Sequence, residues 1–133
     1  MLKSDDENKR KSAEDAIIEM NDISVIEPLL AVYNDDTYDI IRIADIFGHF
    51  KDPRTVEPLI TKLNHRYDVV RKSAAQSLGI IKDKRAIEPL ISALNDNDYS
   101  VKEAASLSLV WITKQSFGTN YSLWINWWKT TDH

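Results

Sequence analysis

The stretch Ala86-Ile87-Glu88-Pro89-Leu90-Ile91 decides the fold, because the chain carries it three times. Its earlier copies are Val25-Ile26-Glu27-Pro28-Leu29-Leu30 and Thr55-Val56-Glu57-Pro58-Leu59-Ile60, and the three stand 30 and 31 residues apart. An aspartate precedes each copy on the same spacing, at Asp22, Asp52 and Asp83. A second element repeats as well: Arg10-Lys11-Ser12-Ala13 returns as Arg71-Lys72-Ser73-Ala74 two periods later, and Gly48 returns as Gly79 after one. Self-similarity at such a period marks an array of small supersecondary units, each too short to bury its own apolar face.

Each unit reads as two helices. In the first, Ile87, Leu90, Ile91 and Leu94 fall at i, i+3, i+4 and i+7, which places them on one apolar stripe. Asp83 stands where a carboxylate caps the free amides of the first turn, and Pro53 after Asp52 suits the first helical position. Pro89 lies about six residues further in, where it removes a backbone hydrogen bond and clashes with the preceding turn, so a bend or restart is expected in all three units. The second helix carries Val70, Ala74, Leu78 and Ile81 inward, with Val101, Ala105, Leu109 and Ile112 as equivalents. Its alanines, together with Gly48 and Gly79, are expected to let neighbouring helix axes approach closely.

Neither helix can shelter its stripe alone, so the units must stack. The predicted fold class is all-α, a short right-handed α-solenoid (an α-α superhelix) in one domain spanning residues 1–133. Repeats are expected at about 22–50, 52–81 and 83–114, after a polar cap helix at about 6–20. A Trp-rich cap at about 118–130 places Trp124, Trp127 and Trp128 at i, i+3 and i+4, with Trp111, Phe117 and Tyr121 nearby in sequence. A chain of 133 residues buries roughly two-thirds of its unfolded surface, so this core needs no staples. There is no Cys for disulfides, thiolate metal sites or a Cys nucleophile. The segment Met1 to Glu7 holds no apolar run and nowhere do eighteen apolar residues follow one another; a cytoplasmic chain is the expectation. The net charge of −4 is uneven: residues 1–40 hold eleven acids and four bases, residues 41–133 ten acids and thirteen bases.

The pattern resembles the HEAT-like repeats first described in phycobilin lyases, which read approximately Asp-x-Arg-Ala-hydrophobic-Glu-Pro-Leu-Ile, a turn, then Val-Arg-x-x-Ala-Ala-x-x-Leu-Gly. Residues 83–91 and 70–79 follow it almost letter for letter, residues 52–60 come close, and the likeness runs from about residue 8 to 112. It departs where Ile18 and Val110 replace the glycine. The resemblance implies an armadillo-type helical scaffold for binding other macromolecules, and by family name an accessory subunit or relative of a bilin lyase. For the latter, Arg42 and Lys72 are the candidate partners of tetrapyrrole carboxylates. The HEAT-like deoxyhypusine hydroxylases hold iron through repeated His-Glu pairs; His49, His65 and His133 form none, so no metal, no cofactor and no catalytic residue is expected.

Stacking equivalent positions of the second helices gives three columns on the expected concave face: Lys11, Ile41, Lys72 and Glu103; Asp15, Asp45, Gln76 and Leu107; Glu19, His49, Ile80 and Trp111. Their mixed signs disfavour a nucleic-acid track, which needs clustered Lys and Arg. Ile80, Leu107 and Trp111 fill slots that are usually polar. Either the Trp124 to Trp128 helix covers Leu107 and Trp111, or the three form an open contact site. The candidate binding residues are therefore Asp45, His49, Lys72, Gln76, Ile80, Leu107 and Trp111, and the expected partner is a protein or peptide, with self-association as a further possibility. Asp39 with Arg42 and Asp68 with Arg71 are expected as exposed i, i+3 pairs worth a few tenths of a kcal/mol, able to bridge units.

Overall fold

The computed structural model of the chain describes residues 7–35 and 40–131. Among them are eight α-helices and no strand: α1 (Glu7–Met20), α2 (Ile26–Asp35), α3 (Ile40–Phe50), α4 (Val56–Lys62), α5 (Asp68–Ile81), α6 (Ile87–Ala93), α7 (Tyr99–Thr113) and α8 (Tyr121–Thr130). Helices α1, α3, α5 and α7 lie side by side in one layer, and α2, α4 and α6 pack behind α3, α5 and α7 in a second. This two-layer stack is the α-solenoid that the period requires. Residue 6, the expected start of the cap helix, and Asp39 and His133 fall outside the described residues.

The three prolines act by restarting the helix rather than bending it. A 3₁₀ turn precedes each outer helix, over Ile23–Val25, Pro53–Thr55 and Lys84–Ala86. The α-helix then begins three residues later, so Pro28, Pro58 and Pro89 are each its third residue. In a first turn an amide has no regular i−4 partner, and a missing N–H costs little. The aspartates cap these turns as their position predicts: Asp22, Asp52 and Asp83 accept from the amides of Ser24, Arg54 and Arg85 at 3.0, 2.8 and 2.9 Å. Side chains of Arg54 and Arg85 grip the same carboxylates and hold Asp52 and Asp83 below the usual aspartate range.

The inward residues of the inner layer are as expected. Val70, Ala74, Leu78, Val101, Ala105 and Leu109 are buried, and Ile81 and Ile112 are half-buried against them. The two glycines part company. A Cβ on Gly79 would stand 2.8 Å from Ser108 Cα, so α5 and α7 touch backbone to backbone there. On Gly48 it would meet Ile80 Cδ1 at 3.6 Å and Ser77 Oγ at 3.7 Å, both ordinary contacts. The expectation that both serve close packing is corrected at Gly48. Two serines one period apart accompany the approach: Ser77 Oγ donates to the Ala44 carbonyl at 2.7 Å and Ser108 Oγ to the Ala75 carbonyl at 2.6 Å.

Arg71 is corrected too. Instead of forming an exposed pair with Asp68, it turns to the next unit, where Nε and Nη2 donate to the Asp96 carboxylate at 2.8 and 3.0 Å. Its Nη1 donates to the His65 carbonyl at 2.7 Å. Arg71 is half-buried, so this charged fork ties two units in a partly dry setting. Arg42 faces back toward Glu14, at 3.5 Å, and its expected pairing with Asp39 lies outside the described residues.

At the C-terminal end α8 packs against α6, taking the place of a further outer helix. Gly118 turns the chain into it with φ +58°, a left-handed conformation that favours glycine. The Gly118 carbonyl accepts from Ser106 Oγ at 2.6 Å and from Trp124 Nε1 at 2.8 Å, which pins the cap to α7. Trp124 is fully buried, edge-on to Phe117 and Trp127 at centroid distances of 4.9 and 5.9 Å.

Candidate functional site

Because α1, α3, α5 and α7 lie side by side, residues one period apart on them become neighbours, roughly 8–10 Å from one helix axis to the next. The second and third columns are exposed along their whole length: Asp15, Asp45, Gln76 and Leu107, then Glu19, His49, Ile80 and Trp111. In the first column Lys11 and Glu103 are exposed while Ile41 and Lys72 are half-buried. Of the candidate residues, Asp45 and His49 ride on α3, Lys72, Gln76 and Ile80 on α5, and Leu107 and Trp111 on α7. One surface thus holds all seven.

The aromatic cap leaves the apolar members of that surface open. Ile80, Leu107 and Trp111 are 41%, 51% and 41% exposed, because α8 sits on the outer layer behind α6 and its Trp124 joins Phe117 and Trp127 rather than Trp111. Of the two arrangements left open by the pattern, the uncovered one is found. Ile80 leans toward α3, where the missing side chain of Gly48 leaves room for its Cδ1.

The other end of the surface is acidic. Glu14 on α1 is buried, and that burial, reinforced by the nearby charge of Asp45, pushes its carboxyl above the usual glutamate range. Lys11 spans Glu14 and Asp15 at 3.7 and 3.6 Å. Acid at α1 and α3 therefore grades into apolar surface at α5 and α7.

The two described histidines, His49 and His65, have separate partners. His49 is edge-on to Phe50 at 5.2 Å, and His65 Nδ1 accepts from the Tyr67 amide at 3.0 Å, copying the turn that Asp96 makes with the Asp98 amide one unit on. Among the described residues no three His, Cys, Asp or Glu side chains converge as metal ligands, and no helix is long and apolar enough to cross a membrane.

Two features escaped the sequence. The serine-to-carbonyl bonds of Ser77 and Ser108 were present as a repeat at 31 residues, but a lone hydroxyl on a helix announces no partner. The second is a cleft beside Trp128, where the i, i+3, i+4 tryptophans read only as a cap. No curated protein matches the sequence. A family model described as HEAT repeats matches residues 41–110, from α3 into α7 and more than half of the chain, and the chain accordingly belongs to the HEAT-repeat family.

Proposed function

We propose that the chain is a non-catalytic binding or scaffolding module that holds a protein segment on its second-helix face. HEAT repeats commonly serve as scaffolds for protein interaction. The observation that carries the reading here is the set of three large apolar side chains, Ile80, Leu107 and Trp111, exposed together on adjacent helices. Apolar clusters rimmed by charge are where hot-spot contacts form, and Trp is the residue type most enriched in them. The acidic side chains Asp15, Glu19 and Asp45 lie toward the N-terminal end of the same face. The segment that fits has an apolar anchor at α5 and α7 and Lys or Arg toward α1 and α3. Its charges would raise the association rate more than the final affinity.

The alternative, an accessory subunit or relative of a bilin lyase, draws less support. Its two candidate carboxylate partners are Arg42 and Lys72, and Arg42 already faces the buried Glu14.

Selection from a random peptide library tests the proposal. Enriched sequences should pair an aromatic or leucine anchor with flanking Lys or Arg, and Trp111→Ala should weaken them by at least about tenfold, the loss expected of a hot-spot aromatic. Binding that is indifferent to Trp111→Ala, or enriched sequences without basic residues, would refute the assignment.

A further inference from the structure

A cleft of about 570 Å³ opens where the end of α8 meets the end of α7 and the start of α6. It lies away from the three columns and shares no residue with them. Trp127 and Trp128 form one wall, Ile87 and Ile112 another, and Lys84 and Arg85 of the 3₁₀ turn stand at its rim. The cap makes this space: Trp124 goes fully into the core, while Trp127 and Trp128, one turn further, are only half-buried. The volume is within the range of small-molecule sites, and the walls are mainly apolar with a few polar groups, as such sites require.

The charges at the rim are not equivalent. Arg85 is neutralised by its own turn: Nη2 and Nε donate to Asp83 at 2.9 and 3.1 Å, and Nη1 lies 3.9 Å from Glu57. Lys84, its neighbour, has no ion pair among the described residues. Among the described residues no carboxylate lines the cleft. Next in sequence to the lining stand Lys114, which ends α7 after Thr113, and Asp83, whose carboxylate Arg85 holds. Among the described residues, what remains is a slot lined by indole rings with the Lys84 ammonium unpaired at its mouth.

We infer that this cleft binds a planar aromatic ring carrying one anionic group, the ring against Trp127 and Trp128 and the anion on Lys84. Indole faces attract flat π-systems, and an apolar wall strengthens the ammonium–anion attraction relative to open water. The anion is either a phosphate, as in a nucleotide, or a carboxylate on an aromatic ring; both satisfy the same geometry. This site is independent of the second-helix face, and neither assignment depends on the other.

Calorimetric titration of the full chain with adenosine 5′-monophosphate, 2-naphthoate, adenosine and inorganic phosphate tests it. At least one of the two aromatic anions should bind saturably with one site per chain, with adenosine and phosphate alone each weaker by about tenfold or more. Binding of adenosine 5′-monophosphate alone assigns the anion to phosphate; binding of 2-naphthoate alone assigns it to carboxylate. Lys84→Gln, at an exposed position that leaves the core untouched, should reduce anion affinity about fivefold and leave adenosine unchanged. Trp111→Ala should have no effect. The inference is overturned if neither aromatic anion saturates below about 5 mM, if adenosine matches them, or if Lys84→Gln binds as well as the parent chain.

Discussion

The junction of α5 with α7 and that of α1 with α3 occupy equivalent places in the solenoid and are built differently. At the first, Gly79 lets the backbones touch and Ser108 bonds the Ala75 carbonyl. At the second, Ile18 stands where the glycine would be and Ile46 where the serine would be. At the alanine position, occupied by Ala44 and Ala75 in later units, α1 carries the buried Glu14. One repeat plan thus accepts two kinds of seam: close backbone contact fixed by hydrogen bonds, or bulkier side chains around a carboxyl held by Arg42 and Lys11. Since the stability of such an array is approximately a sum over neighbouring interfaces, the two seams set how firmly each end is held.

The largest test of the contrast is Arg71→Ala, which strands the nearly buried Asp96 across the junction of two units. Removing one partner of such a pair should cost about 3 kcal/mol and lower the Tm by roughly 10 °C in a chain of this size. Lys102→Ala, one period further on where no such fork forms, should stay within about 0.5 kcal/mol. Thermal unfolding followed by circular dichroism separates them, and equal losses would mean that the fork adds nothing.

Next come the glycines. Gly79→Ala must push α7 away and should cost about 1–3 kcal/mol, the range of overpacked cores. Gly48→Ala meets only ordinary contacts and should gain up to about 1 kcal/mol from helix propensity. Opposite signs at two positions with the same repeat number would establish that the seams differ in approach; matching signs would contradict it.

The smallest effect concerns pH. The carboxyl of Glu14 is raised by burial, so as pH falls from neutral toward about 4.3 the folded chain binds this proton before the unfolded chain does, and this group's contribution to stability grows. Asp52 and Asp83 behave oppositely. Their lowered values make a contribution that is full above about pH 4 and disappears as acid protonates them in the fold. Glu14→Gln should therefore be slightly more stable than the parent at pH 7, by less than about 1 kcal/mol, with the advantage gone near pH 4.3. An advantage that widens in acid would show that Glu14 is favoured as a charge.

Much of the architecture was legible from residue order alone. Two periods fix helix type, cap and inward face for most positions, because capping and amphipathic spacing are local rules obeyed within one or two turns. The aspartates and the Val70 to Leu78 stripe came out as read for that reason. The prolines were harder: a break was evident, but whether the helix bends or restarts depends on whether a 3₁₀ turn forms ahead of it.

The partners of Arg71, the difference between Gly48 and Gly79, the exposure of Trp111 and the cleft beside Trp128 were settled elsewhere. Each depends on what a neighbouring unit places opposite, about thirty residues away, and on which layer the last helix joins. Spacing along the chain determines which side of a helix a residue occupies. Only the packed stack decides what stands across from it, because that distance is set by the side chains of another helix and leaves no trace in the residue's own surroundings along the chain.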